Sequence, residues 1–344
     1  MSEQRIAYVT GGTGFVGSHL VERLVQEGYH VRALVLEHED ASFLERLGVE
    51  LLRGDITDSA DKLRAGFEGV THVFHCAGWV DDWAPRKHMV AVNVHGLRNV
   101  LKACSTADLQ RFVFVGSIMV YGAGDQIDLD ESAPFVGTGD NYNYTKIQCE
   151  RVVREFVHRR GVPAVVLRPT YIYGERDNHF LPRVLRSLQH GHWIFLSGGK
   201  MPFTLVHVQN LVDACVLAAT REEAVGEGFI ITDGESITRR ELMELVCEEL
   251  DCEMPWLSLP RHAALPLLML DIVLAKVLAW DRPNLINRFL YHFAGCRLTF
   301  DISKARRLLG YEPKRPTPAS LRTATRWFKE NRPDLLPRKR EHSG

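Results

Sequence analysis

The sequence predicts a doubly wound parallel α/β sheet with a smaller, discontinuous C-terminal lobe that would hold a substrate. Three observations predict it. Short apolar runs rich in β-branched residues alternate with segments of helical period through the first half of the chain. A glycine-rich stretch, Thr10 to Gly17, stands between the first apolar run and the first helical segment. After Gly174 the alternation breaks up at Pro182, Gly191, Gly198-Gly199 and Pro202. A chain of 344 residues, 45% of them apolar, buries a large core and leaves material for a second lobe. Its formal charge of −1 offers no field for nucleic acid. The seven cysteines lack CxxC or Cys/His metal spacing, which predicts reduced thiols, no metal and a cytoplasmic setting. The first residues carry no long apolar run, so no secretory signal is expected.

The elements follow in order. Arg5–Thr10 is the first strand. Gly11 lets the chain leave it in a tight turn, Gly14 lets backbone approach a pyrophosphate, and Gly17 lets the next helix lie close on the sheet, with Phe15 and Val16 between them. Backbone N–H groups and the positive helix end hold the anion, which makes this a Rossmann-type dinucleotide site. The helix Ser18–Glu27 stops at Gly28, and His30–Leu36 is the second strand. Glu37, twenty residues after Gly17, is placed to accept both ribose hydroxyls and repel a 2′-phosphate, favouring NAD with NADP as the alternative. Its other reading is a solvated acid within Glu37-His38-Glu39-Asp40. After the third strand, Val49–Leu52, Asp55 can accept the adenine amino proton while Ile56 packs on the ring. A helix-cap use of Thr57 or Asp58 competes with that reading. Strands His72–Cys76, Arg111–Gly116 and Pro163–Arg168 enclose helices Arg86–Cys104 and Lys146–Arg159, the last closed by Gly161. Gly228–Thr232 adds a further strand. These bounds give a dinucleotide-binding domain of 1–174 plus about 203–232, a lobe of about 175–202 and 233–335, and a basic tail, 336–344.

The motifs resemble those of the extended short-chain dehydrogenases/reductases across most of the chain. They are Thr10-Gly11-Gly12-Thr13-Gly14-Phe15-Val16-Gly17, Gly54-Asp55, His75-Cys76-Ala77-Gly78, Asn93-Val94-His95-Gly96, Ser117 before Tyr121-Gly122, Tyr142 four residues before Lys146, and Arg168-Pro169 before Tyr173-Gly174. The resemblance implies a catalytic set of Ser117, Tyr142 and Lys146 supported by Asn93, with Ala77 and Gly78 beside the cofactor. The chemistry agrees. Removing hydride from a carbinol carbon requires loss of the hydroxyl proton to a base next to the nicotinamide. A free phenol, of pKa about 10, is mostly in the wrong form near neutrality, and a lysine one helical turn away favours the phenolate by charge. Tyr142 is thus the general acid/base, Lys146 its electrostatic partner and ribose ligand, and Ser117 the donor to the substrate oxygen. Tyr144, two residues from Lys146, faces another direction. Pro169, Thr170 and Ile172 line the nicotinamide side or pack the strand end.

Apolar residues gather around the expected reaction centre: Trp79, Trp83, Ile118, Phe180, Met201 and Phe203, with Tyr121 facing either substrate or core. Met201-Pro202 stands where family members acting on nucleotide sugars often place an arginine and an acid. Residues 263–280 are nearly all apolar but carry Pro266, Asp271 and Lys276, which suits an interfacial helix or lid, or a core or dimer helix, better than a membrane span. With the aromatic residues, this segment makes the chain resemble the 3β-hydroxysteroid or sterol dehydrogenase branch. The expected activity is hydride transfer between NAD(H) and a secondary alcohol or ketone of a hydrophobic small molecule. A nucleotide-sugar epimerase or dehydratase, an NADPH-dependent dihydroflavonol-type reductase, and a non-catalytic cofactor sensor are the alternatives. The resemblance also implies a homodimer through helices 86–104 and 146–159.

Overall fold

The computed structural model describes residues 5–81, 84–263, 266 and 295–337. The chain opens with β1 (Ile6–Thr10), α1 (Phe15–Gln26), β2 (His30–Val35), α2 (Ser42–Arg46), β3 (Glu50–Arg53), α3 (Ala60–Arg64) and β4 (His72–His75). It continues through α4 (Arg86–Met89), a π-helical segment Val90–Gly96, α5 (Leu97–Cys104), β5 (Arg111–Val115), β6 (Gln126–Leu129), α6 (Asn141–Arg160), β7 (Ala164–Pro169), β8 (Tyr171–Tyr173) and α7 (Phe180–Gln189). The remaining elements are β9 (Phe195–Leu196), β10 (Pro202–His207), α8 (Val208–Thr220), β11 (Gly228–Ile231), β12 (Ser236–Thr238), α9 (Arg239–Leu250), β13 (Ser258–Leu259), β14 (Leu298–Phe300) and α10 (Thr317–Asn331).

The main sheet has seven strands in the order β11-β7-β5-β4-β1-β2-β3. All of its pairings are parallel. The central strands β4 and β7 are buried along their whole length, because helices cover both faces and every side chain then needs an apolar neighbour. Side chains alternate between the two faces. Ala7 and Val9 of β1 enter the core that contains Leu20 and Leu24 of α1, whereas Tyr8 enters the one containing Leu97 and Leu101 of α5. The strand order reverses between β1 and β4, where Thr10 lies opposite His75. That switch point opens a crevice at the carboxyl ends of the strands, the place where doubly wound sheets bind ligands.

A second sheet, β12-β10-β14-β6 with β8 paired to β10, forms the smaller lobe. Its strands β6, β8, β10, β12 and β14 interleave along the chain with those of the main sheet. At one of the crossings between the sheets a single residue, Thr170, separates β7, which ends at Pro169, from β8, which begins at Tyr171.

Helix starts differ from expectation. The helix α1 begins at Phe15 rather than Ser18, directly after the glycines. The helix α6 begins at Asn141 rather than Lys146, because the Asp140 carboxylate accepts the Asn143 N–H at 2.8 Å and caps it. It closes at Gly161 in the left-handed conformation, φ 65°. The helix expected over 86–104 runs through that span and widens into a π-turn at Val90–Gly96. Trp83, residues 338–344 of the tail, and the 263–280 segment apart from Ala263 and Pro266 lie outside the described residues. Among those described, no helix is long and apolar enough to cross a membrane.

Candidate active site

The glycine loop is folded tightly on itself. Gly11 has φ +71°, and a Cβ there would lie 2.7 Å from the Ala77 nitrogen. A Cβ on Gly17 would lie 1.9 Å from the Gly11 oxygen, so only glycine permits α1 to start this close to β1. A Cβ on Gly14 would meet only the Gly11 oxygen, at 3.2 Å, and otherwise projects into open space. No side chain caps α1. Its first N–H groups and positive end therefore suit an anion, and the loop fits the pyrophosphate of a dinucleotide. Phe15 is buried and Val16 half-buried behind it.

Two glutamates of the turn after β2 are placed differently. Glu37 is exposed in a turn, and among the described residues its contact is through the backbone carbonyl, to Arg53 Nη1 at 3.5 Å. Glu39 instead folds back toward the loop. Its carboxylate accepts the Thr13 hydroxyl at 2.6 Å and the Leu36 N–H at 3.3 Å, while Arg53 clamps the turn through the Leu36 and Glu39 carbonyls, both at 2.9 Å. The sequence run holds three acids, and spacing alone could not say which one the turn would aim inward. Asp55 accepts the Thr57 N–H at 2.8 Å through one oxygen, and Asp58 accepts the Asp55 N–H at 3.0 Å. The cap of α3 is Ser59. Ile56 is buried against Gly96, where a Cβ would lie 2.7 Å from the isoleucine side chain.

Across the crevice, Thr10 pins β4 to β1: its hydroxyl meets His75 Nδ1 at 2.9 Å and accepts the Ala77 N–H at 3.3 Å. Burial, with the Lys146 charge nearby, holds the His75 imidazole neutral, its pKa lowered to about 3. Lys146 is buried. Its ammonium donates to the Val115 carbonyl at 3.3 Å, at the end of β5, and lies 5.6 Å from the centre of the Tyr142 ring. Ser117 follows β5 by two residues and accepts the Met119 N–H at 3.2 Å. Asn143 Nδ2 donates to the Met119 carbonyl at 2.6 Å, tying the start of α6 to the turn after Ser117. Tyr142, Lys146 and Ser117 are thus gathered at the carboxyl end of β5. Tyr144 is exposed beneath the Arg86 guanidinium.

Asn93 sits in the π-turn and acts as a clamp. Its side chain accepts the Trp79 N–H at 2.6 Å and donates to the Trp79 carbonyl at 3.1 Å and the Thr145 hydroxyl at 3.3 Å. Thr145 in turn donates to the Tyr142 carbonyl at 2.8 Å. A Cβ on Gly78 would lie 3.5 Å from Asn93 Oδ1 and 4.0 Å from Lys146 Nζ, so glycine keeps the approach to the ammonium open. Thr145 carried no sequence signal, being one threonine in a helix. Pro169 is buried and Ile172 half-buried at the junction of the sheets. Thr170 lies between them, buried. Its buried hydroxyl has no hydrogen-bond partner among the described residues.

The apolar residues divide sharply. Trp79 is 43% exposed and Met201 is half-buried, so both can meet a ligand. Ile118, Phe180 and Phe203 are buried in the protein's own core, Phe203 beneath the Arg239 guanidinium at 4.4 Å. Tyr121 is buried as well. Arg168 Nη1 donates to its hydroxyl at 2.8 Å while the same guanidinium holds Glu150 through two bonds of 2.6 and 2.8 Å. All four side chains thus have packing partners within the core, and Tyr121 has the hydrogen-bonded hydroxyl that its core reading requires. Sequence showed they were apolar and near the centre, but not that the two sheets would close over them.

The model of the NAD dependent epimerase/dehydratase family matches residues 7–232. A ketoreductase of Stigmatella aurantiaca, acting on 4-hydroxy-2-methyl-3-oxo-4-farnesyl-3,4-dihydroquinoline-1-oxide, is 31% identical over 88% of this chain and 91% of its own. A 3β-hydroxysteroid dehydrogenase/Δ5→4-isomerase of Mycobacterium tuberculosis is 32% identical over 89% of this chain and 85% of its own. The crystal structure of gox2253 superposes with a TM-score of 0.80 at 26% identity, covering 95% of this chain and 98% of the other. On this ground, with the glycine loop and the Ser-Tyr-Lys set placed as above, the chain belongs to the NAD-dependent epimerase/dehydratase family of extended short-chain dehydrogenases/reductases, on its 3β-hydroxysteroid dehydrogenase-like branch, and is a nicotinamide-dependent oxidoreductase.

Proposed function

We propose that the protein interconverts a secondary alcohol and a ketone on a hydrophobic polycyclic or prenylated molecule, a sterol or steroid being the leading case, with net turnover of NAD(H). The observation that carries this reading is the gathering of Tyr142, Lys146 and Ser117 at the end of β5, across the crevice from the glycine loop. The cofactor supplies the hydride acceptor, or in its reduced form the donor. The rest falls to the chain. Tyr142 takes the alcohol proton in oxidation and returns one in reduction; Lys146 holds positive charge beside the Tyr142 ring. Ser117 steadies the substrate oxygen. Gly11, Gly14 and Gly17 hold the pyrophosphate, Glu39 takes the ribose role first assigned to Glu37, and Asp55 uses its second carboxylate oxygen at the adenine. The Thr170 hydroxyl reaches the nicotinamide side beside Pro169 and Ile172.

The hydrophobic reading rests on Trp79 and Met201, the accessible side chains of the apolar set, and on Met201-Pro202 in place of charged residues. Two relatives whose names specify a farnesylated quinoline oxide and a 3β-hydroxysteroid support it. The test is a nicotinamide-absorbance assay with 3β-hydroxysteroids, prenylated ketones and nucleotide sugars, using both cofactors. Turnover of the apolar substrates with NAD is expected. Conversion of a nucleotide sugar alone, without net change in the cofactor, would replace this reading with the epimerase one.

A further inference from the structure

The helix α9 ends in a way that brings two thiols together outside the active site. Asp251 adopts the left-handed conformation, φ 55°, and the chain turns back: the Cys252 N–H donates to the Cys247 carbonyl at 3.0 Å and the Asp251 N–H to the Glu248 carbonyl at 3.4 Å. These paired backbone bonds make a Schellman motif, in which the residue after the left-handed one contacts the residue five places before it. Apolar side chains commonly make that contact. Here both are cysteines, brought to one turn by these backbone bonds. Cys247 is buried and also reaches the Glu253 carbonyl at 3.6 Å, whereas Cys252 is partly exposed. The two line a surface groove with Glu244, Glu248, Asp251 and Met254.

We propose that Cys247 and Cys252 are a reversible oxidation site, forming a disulfide on reaction with a neutral peroxide. Cys252 is the attacking thiol, being the accessible one, and the neighbouring Cys247 thiol holds that of Cys252 below the ordinary range. Its thiolate attacks one peroxide oxygen and breaks the O–O bond, leaving a sulfenic acid on Cys252 and releasing hydroxide, which takes up the proton lost by the thiol to give water. Cys247 then attacks the sulfenic sulfur, forming the S–S bond and expelling the oxygen as a second water. Two thiols lose two electrons and two protons, and the peroxide is reduced to two waters. The carboxylates of Glu244, Glu248 and Asp251 around the groove repel anionic oxidants, which is why a neutral one is specified. The disulfide would staple the end of α9 to the strand-forming segment that pairs Ser258–Leu259 with β9.

The full-length protein is treated with hydrogen peroxide, its free thiols are blocked under denaturing conditions, and tryptic peptides are weighed. Peptide 241–261 contains Cys247 and Cys252 and no other cysteine. The expected result is that this peptide becomes two hydrogens lighter and unlabelled, and that dithiothreitol restores labelling. In Cys247→Ser, a dimedone-trapped sulfenic acid accumulates on Cys252; in Cys252→Ser, oxidation of the peptide slows by more than about tenfold, following thiolate exposure. Turnover of the untreated variants is unchanged. Full labelling of both thiols after treatment that oxidises other cysteines would overturn the proposal, as would direct passage of wild-type Cys252 to sulfinic acid.

Discussion

Tyr142 owes its place to three residues of its own helix: Asn143 ties α6 to the turn after Ser117, Thr145 anchors the Tyr142 carbonyl through Asn93, and Lys146 holds charge beside the ring. Removing the phenolic oxygen disturbs none of these contacts. Tyr142→Phe is expected to lower kcat by about 10²–10⁴-fold, the range of a positioned acid/base, while NAD affinity measured by calorimetry changes less than about twofold. Asn93→Ala differs: it frees the Trp79 backbone, a positioning defect, and should raise KM for an apolar substrate as well as lower kcat. The buried Arg168 has another kind of importance. With Glu150 and Tyr121 it forms a closed network, and a Cβ on Gly228 would lie 2.5 Å from Arg168 Nη2, so nothing there has room to adjust. Glu150→Gln leaves a buried guanidinium without its counter-charge and should destabilise the fold by about 3–5 kcal/mol in chemical denaturation. The Tyr142–Lys146 pair was readable because its spacing is one helical turn. The use of Tyr121 stayed open between core and substrate, because its partner Arg168 lies 47 residues on, in β7.

At the scale of elements, strands were the most legible part of the sequence. Buried parallel strands are continuous apolar runs, and the six expected in the first half occur within a residue or two of their expected bounds. Helix starts were less legible because caps decide them, as Asp140 does for α6. The π-turn at Asn93 left no mark, since its residues suit an ordinary helix. The turn after β2 is the sharpest case. Three acids there are equivalent in composition, but Arg53 gathers the Leu36 and Glu39 carbonyls and turns the Glu39 carboxylate onto the glycine loop. Glu39→Ala should therefore weaken NAD binding by about tenfold or more, the worth of a charged hydrogen bond, whereas Glu37→Ala leaves it within about twofold. Equal losses in the two titrations would restore Glu37 to the ribose.

The whole molecule joins two sheets whose strands interleave along the chain, and this was the least legible feature: β6 and β8 are too short, and their partners β14 and β10 too distant, for local periodicity to mark them as a lobe. Closing the sheets and helices around one another also buries several histidines. Burial lowers the pKa of His19 to about 4, of His72 to about 4 and of His75 to about 3, with nearby positive charges adding to the effect. Each lies below its unfolded value, so between those values the unfolded chain binds protons that the folded one refuses. Stability from this source is present above the unfolded histidine pKa, about 6.5, and is lost as pH falls through the folded values. Asp177 acts in the opposite sense. Its carboxyl caps the start of α7 through three N–H groups, yet burial outweighs them and raises its pKa to about 6, so it keeps a proton the unfolded chain has released. Near pH 5 these four groups leave the unfolded state richer by about two protons, a slope of roughly 3 kcal/mol per pH unit. The melting temperature should thus fall steeply from pH 6.5 to pH 4, and His72→Gln, distant from the glycine loop and from Tyr142, should make the decline shallower. A melting temperature that stays level or rises over that interval would mean that these histidines are protonated in the folded protein.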